Sequence, residues 1–379
     1  MEKHSLEELE TPALILDEAR MDSNIRRMRS HLDDLGVAFR PHVKTNKCIE
    51  VTRRLMQRPD GPITVSTLRE AEYFASHGVK DILYAVCIAP NKLAHASEFL
   101  KRGIDLSLIV DSLEASRILV DWQRSAGASF GVLIEVDSDG HRSGVACNAP
   151  ELIEIGRFLH DNGVTLRGVM THAGSSYDCR SDDALRAMAE QERAAASGAA
   201  KHLRAAGVPC PVVSVGSTPT ALFARHLEGV TEVRAGVFVF FDLVMAGIDV
   251  CRQSDIALSV LGTVIGHQRE KGWTIIDAGW MAMSRDRGTA AQPLDQGYGV
   301  VCDIDGAPLD EFILIAANQE HGIIAHRSGD ASRVPDLAIG DHVRILPNHA
   351  CATAAQYENY QVLGANRKIS ATWHRFSGW

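Results

Sequence analysis

The sequence predicts an α/β fold, a (β/α)8 TIM barrel followed by a mainly antiparallel β domain. Eight strand-like runs alternate with helical segments, and the residues able to do chemistry fall just after those runs, as at the rim of a barrel. The texture then changes beyond Phe241, where strand-like segments follow one another with turn residues and little helix.

The eight runs are Gly36–Arg40, Ile63–Thr67, Asp81–Val86, Leu106–Val110, Gly131–Val136, Leu166–His172, Pro211–Gly216 and Thr231–Gly236. Their Val, Ile and Leu content is near-continuous, as parallel strands covered on both faces require. Between them, Glu18–Leu35, Leu68–His77, Asn91–Arg102 and Asp182–Ala206 have helical composition and period. Thr67, Asp111 and Ser181 stand where a side-chain oxygen can cap the next helix.

A barrel takes about 250 residues, so a chain of 379 leaves roughly 130 for a second domain. Residues 18–245 are expected to form the barrel and 246–379 the β domain, through IALSVLGTVIGHQ, GWTIIDAGW, YGVVCDI, FILIAANQEHG and DHVRILPN. Residues 1–17, with the strand-like ALILD, are a candidate addition to it.

The net charge of −9 and the lack of a dense basic stretch argue against nucleic-acid binding. The apolar runs are strand-sized and the first residues have no signal-peptide pattern, so a cytoplasmic location is expected. Eight cysteines without a CxxC pair suit reduced thiols.

Lys44, in RPHVKTNK after the first strand, is placed to shed its proton and form a Schiff base; otherwise it is a surface lysine opening a helix. In VGSTPTAL, after strand seven, Gly216, Ser217 and Thr218 can turn N–H groups and hydroxyls toward an anion, and Gly236 closes the cup from strand eight. Strand eight neighbours strand one, so lysine and cup adjoin, which suggests pyridoxal 5'-phosphate.

Strands five and six lead into DSDGHRSGV and THAGSSY. Arg142 can face the pyridine nitrogen as a donor, His172 can lie against the ring and Tyr177 can reach the phosphate. DSDGH lacks the spaced acids and closing Glu of an EF-hand. In LPNHACAT, His349 and Cys351 are two apart, so in an extended segment they point the same way and can hold one soft or borderline metal. Two protein ligands leave positions open, as in a catalytic zinc site. The alternative is a core histidine beside a buried thiol.

RPHVKT, DGHRSGV, THAGSSY, VGSTPTAL, EVRAGV, DAGWMAMSRDRG, NQEHG and LPNHACAT run in order through Arg40–Thr353. Together they resemble the metal-dependent pyridoxal-phosphate enzymes of fold type III, alanine racemase-like in fold, that act on D-3-hydroxy amino acids: the D-threo-3-hydroxyaspartate dehydratase and D-serine dehydratase-like family. The resemblance implies a homodimer, with Lys44 the Schiff-base lysine and His349 and Cys351 the metal ligands. It places Tyr177, Ser217, Thr218 and Gly236 on the phosphate side, Arg142 at the pyridine and His172 beside the cofactor.

The related D-threonine aldolases resemble HAKxHK at the lysine and HxD at the metal, whereas this chain has Asn46 and Cys351. Thiolate plus imidazole suits zinc, with cobalt or manganese as alternatives, and a Lewis acid on a departing oxygen. The expected activity is therefore dehydration of D-threo-3-hydroxyaspartate or D-serine, with aldol cleavage to glycine and an aldehyde as the alternative. Racemisation needs a second acid/base and no metal. Arg285 and Arg287 are candidates for binding a substrate β-carboxylate, or else form an ion pair around Asp286.

Overall fold

The computed structural model describes residues 5–364 and 368–379. The chain forms two compact units: Arg27–Gly236 with the last two residues, and the chain up to Arg26 together with Val237–Ser377.

In the first unit all eight expected runs contain a strand: Ala38–Phe39, Ile63–Val65, Asp81–Cys87, Asp105–Val110, Gly131–Asp137, Thr165–Thr171, Val212–Val215 and Glu232–Val233. From the second to the eighth, each strand pairs in parallel with the next in chain order, and the eighth pairs in parallel with the first. A parallel bridge between His42 and Thr64 closes the circle between the first and second strands. Leu83, Ile109, Leu133 and Met170, from four successive strands, pack into one buried cluster, and each such side chain contributes about 1.5–3 kcal/mol by leaving water.

Helices begin where a hydroxyl accepts a free N–H: Thr67 from Glu70, Ser181 from Ala184 and Ser217 from Thr220. One expectation is corrected. The helix Leu113–Ala126 is capped by Ser112, whose extended backbone lets its oxygen accept the Ala115 N–H at 3.2 Å, and not by Asp111. Asp111 follows the end of a strand and its carboxylate faces Cys87.

Charges inside the barrel are satisfied in a chain. Arg40 binds Glu232 and Asp81 at 2.9 and 2.7 Å. Ser214 donates to Glu232 and accepts from Arg234, which also donates to the Thr171 carbonyl. Removing one member would leave a buried charge unpaired. Gly216 has φ +146° and an added Cβ would stand 1.8 Å from the Arg234 carbonyl, so this turn requires glycine.

The second unit contains a closed antiparallel ring of six strands: Leu258–Gln268, Trp273–Ile276, Gly322–His326, Pro308–Ala317, Gly299–Cys302 and His342–Pro347, which returns to the first. Leu258–Gln268 is long enough to pair with Ala13–Asp17 and His342–Pro347 over its first part and with Trp273–Ile276 over its last. Ala13–Asp17 also pairs in parallel with Asn359–Leu363, and Leu6, Ala13, Ile15, Leu261 and Ile369 share one core. The run FILIAANQEHG is divided between two strands, and GWTIIDAGW ends in a short helix at Trp280–Met283. No helix among the described residues is long and apolar enough to cross a membrane.

Candidate active site

A cavity of about 410 Å³ opens among the residues that follow the barrel strands, and Lys44, Arg142, His172, His42 and Arg234 all line it. That volume is typical of a small-ligand site. Lys44 is exposed in it. His42 stands two residues earlier, where its Nδ1 accepts the Lys44 N–H at 3.4 Å and its Nε2 lies 3.3 Å from the Ser66 hydroxyl. A neutral imidazole satisfies both contacts when Nε2 carries the proton. Burial, then the charges of Lys44 and Arg234, hold this imidazole well below the usual range.

His172 is held in the other tautomer. Its Nδ1–H donates to the Gly216 carbonyl at 2.8 Å, which leaves Nε2 as an acceptor. Burial first and the Lys44 charge second bring its pKa down to about 3. Both histidines are therefore neutral at pH 7 and cannot supply a proton there. Tyr177 lies in the turn Gly174–Asp178, its ring 6.4 Å from that of His172.

The DSDG loop carrying Arg142 is an Asx-type turn. Asp137 accepts the N–H groups of Asp139 and Gly140, and Asp139 accepts that of Ser175 from the next loop. Arg142 is exposed at its end.

The loop after strand seven departs from expectation. The Gly216 N–H donates to Glu192, and the Ser217 N–H to the Thr220 hydroxyl. Buried N–H groups must find acceptors, and these two are taken by side chains of the protein. Ser217 is buried and begins the helix Thr218–Phe223, its oxygen 2.9 Å from that of Ser176. Gly236 sits where a Cβ would approach the His42 carbonyl to 2.7 Å, so its side-chain-free backbone lets the strand-eight loop close on the lysine loop.

Three further groups line the cavity at the ends of strands three to five. Cys87, Asp111 and Glu135 have their ligand-type atoms within 4.8 Å of one another. The Cys87 thiol donates to Glu135 at 3.3 Å, and burial and the two carboxylates push its pKa far up. In this arrangement it is held as a thiol hydrogen-bonded to Glu135.

In the second unit His349 and Cys351 are brought together, though not by strand alternation. His349 is the extended N-cap residue of the helix Ala350–Ala354 and Cys351 lies in its first turn. The helix begins here because buried Asp242 accepts the Ala350 N–H at 3.0 Å while capping its own helix through Met245. Asp286 Oδ2 stands 2.6 Å from His349 Nδ1. Burial alone would draw the His349 imidazole down, but the Cys351 sulfur and the Asp286 carboxylate push it up to about 11.

The segments carrying Asp286 and His349 are tied together. Asn348 donates to the Asp286 and Gly297 carbonyls, Thr289 donates to Asn348, and Thr353 donates to the Met283 carbonyl. Of the two readings of Arg285 and Arg287, the alternative of an ion pair around Asp286 does not form: Arg287 pairs with Asp295 at 2.6 Å, and Arg285 stacks over Trp280. An imidazole whose Nδ1 is held by a carboxylate presents Nε2 to a metal once the ion displaces the Nε2 proton, and with a cysteine sulfur it forms a donor set that fits a borderline ion.

His42, Arg234, Glu192 and Asp242 were not singled out from sequence, and Asp286 was considered only as an ion-pair partner of its neighbouring arginines. His42 and Arg234 were visible within RPHVKT and EVRAGV. Nothing local marks Glu192 or Asp242, whose partners are distant in the chain.

The barrel and its loops match the alanine racemase N-terminal domain over residues 16–244, and residues 257–363 match a serine dehydratase domain. The architecture is that of fold-type III pyridoxal-phosphate enzymes. D-threo-3-hydroxyaspartate dehydratase of Delftia sp. (strain HT23) is 56% identical over 98% of each chain. A solved cysteine-to-alanine variant of a D-threo-3-hydroxyaspartate dehydratase, in a metal-free form, superposes with a TM-score of 0.97 at 55% identity, covering 99% of this chain and 100% of the other. D-serine dehydratase of Dictyostelium discoideum is 30% identical over 95% of each chain. The chain thus belongs to the family of D-threo-3-hydroxyaspartate dehydratase and D-serine dehydratase.

Proposed function

We propose that this chain is a pyridoxal-phosphate- and divalent-metal-dependent dehydratase, an ammonia-lyase of D-3-hydroxy amino acids. It converts D-threo-3-hydroxyaspartate to oxaloacetate and ammonia, or D-serine to pyruvate and ammonia, as a cytoplasmic homodimer. The observation that carries the reading is the arrangement of Asp286, His349 and Cys351, a carboxylate-held imidazole beside a sulfur donor.

Lys44, Arg142, His172, Tyr177, Gly216, Ser217, Thr218 and Gly236 would hold pyridoxal phosphate, which when bound supplies an electron sink for charge left at the substrate Cα. His349 and Cys351 would hold a divalent ion, zinc before cobalt or manganese, which supplies a Lewis acid for the β-oxygen. Lys44 takes the α-proton onto its Nζ. Arg142 has N–H donors and no acceptor, so toward a bound ring nitrogen it would offer a hydrogen bond, which would make leaving-group assistance at the β-carbon more important. The Cα–H and Cβ–O bonds break, water departs, and the enamino acid released tautomerises and hydrolyses to the 2-oxo acid and ammonia.

Aldol cleavage would need a base for the β-hydroxyl proton. Asn46 stands where the aldolase pattern has histidine, and it is fully buried, its oxygen accepting the Cys48 N–H and the Thr52 hydroxyl. Product analysis with D-threo-3-hydroxyaspartate tests the proposal: oxaloacetate and ammonia are expected, and glycine with glyoxylate would overturn it.

A further inference from the structure

The loops that follow the sixth and seventh barrel strands meet on one carboxylate. Glu192 lies in the helix Asp182–Ala205 and is 1% exposed. Its Oε1 accepts the N–H of Ala173 at 3.0 Å and of Gly216 at 2.9 Å, and its Oε2 accepts the Thr220 hydroxyl at 2.6 Å. The Thr220 oxygen accepts the Ser217 N–H at 3.1 Å, and Ser217 meets Ser176 hydroxyl to hydroxyl at 2.9 Å. One side chain therefore fixes both backbone segments.

Three converging donors select a carboxylate. An ionised Glu offers acceptors alone and takes all three donors as they stand, whereas Gln would keep the two backbone N–H groups on its oxygen and turn its amide N–H toward Thr220, whose hydroxyl would have to reverse and release its present place in the turn. Fully buried Arg234 provides the opposite charge nearby. Asp or Ala at this position would leave buried N–H groups without an acceptor, at about 1–3 kcal/mol each.

We propose that Glu192 is the positioning residue of the phosphate side, holding the Gly216–Thr220 turn in the arrangement that selects a phosphate ester over its dephosphorylated analogue. The inference rests on the cofactor reading above. It assigns Glu192 no contact with the reacting atoms. Lys44 and Arg142 project from other loops, so an effect through Glu192 should register in the phosphate and leave the ring contacts of those two residues unchanged.

The test is equilibrium binding of pyridoxal 5'-phosphate and of pyridoxal to the full-length chain, as wild type, Glu192→Gln and Thr220→Val, with melting temperatures alongside. Glu192→Gln is expected to weaken the phosphate ester by at least about tenfold and pyridoxal by less than about twofold. Equal weakening of the two, or none, overturns the inference. If Glu192→Gln does not fold, Thr220→Val carries the test, since it removes one donor and leaves the carboxylate. A loss of about threefold confined to the phosphate ester supports the inference, and unchanged discrimination overturns it. A wild type that binds neither compound would instead sink the cofactor reading, and the inference with it.

Discussion

Asp286 Oδ2 lies 2.6 Å from His349 Nδ1, so the residue that holds the imidazole comes from 63 positions earlier in the chain. The carboxylate fixes the ring and leaves Nε2 for a metal. Asp286→Ala is expected to weaken divalent-metal affinity by about 10–100-fold while the fold is retained. Titration of the metal-stripped protein with zinc checks this, and unchanged affinity would remove Asp286 from the metal centre.

Lys44 is the base of the proposed reaction. Lys44→Ala should lower kcat by at least about 10³-fold, since general base catalysis of this kind typically contributes two to four powers of ten. The melting temperature should stay near that of the wild type, because the side chain is exposed. Turnover within tenfold of the wild type would show that another group takes the α-proton.

Asn46 is a structural residue in this chain. Its oxygen serves a buried N–H and a buried hydroxyl, so Asn46→Ala should cost about 1–3 kcal/mol of stability, read from the denaturant midpoint. Asn46→His should be destabilised too and yield no glycine. Glycine formation by that variant would mean that position 46 reaches the substrate.

The pH dependence follows from His172. Its folded pKa of about 3 lies below the unfolded value, so between the two the unfolded chain binds the extra proton. Stability is therefore complete above the unfolded pKa and falls as the pH drops through this window. By pH 5 the loss from this one group is about 2 kcal/mol. Denaturant unfolding at pH 7 and pH 5 measures it, and His172→Asn should show a flatter dependence.

Much of the barrel was legible because parallel strands buried on both faces must be continuously apolar, and all eight runs hold strands. The β domain was less so. Asn359–Leu363 and Ile369–His374 are partly exposed and carry weaker apolar signals, so they were not read as strands. Lys44, Arg142 and His172 were found from their place after strands, and they share one cavity. The groups that hold the site were invisible for the opposite reason. Glu192 reads as an ordinary helix residue until its N–H partners, 19 and 24 positions away, are folded onto it. Asp286, between two arginines, invited a local ion pair, but its partner is His349. The spacing of His349 and Cys351 was read for a strand, while the Asp242 contact makes a helical turn there.

Metal-assisted loss of the β-hydroxyl is most directly tested by ammonia release from D-threo-3-hydroxyaspartate before chelation, after chelation and after zinc is restored, in wild type and in Cys351→Ala. The expected result is activity that disappears on chelation and returns with metal in the wild type, and a Cys351→Ala protein that keeps its pyridoxal phosphate but stays inactive throughout. Full ammonia release from chelated wild type, or from Cys351→Ala, would contradict the account.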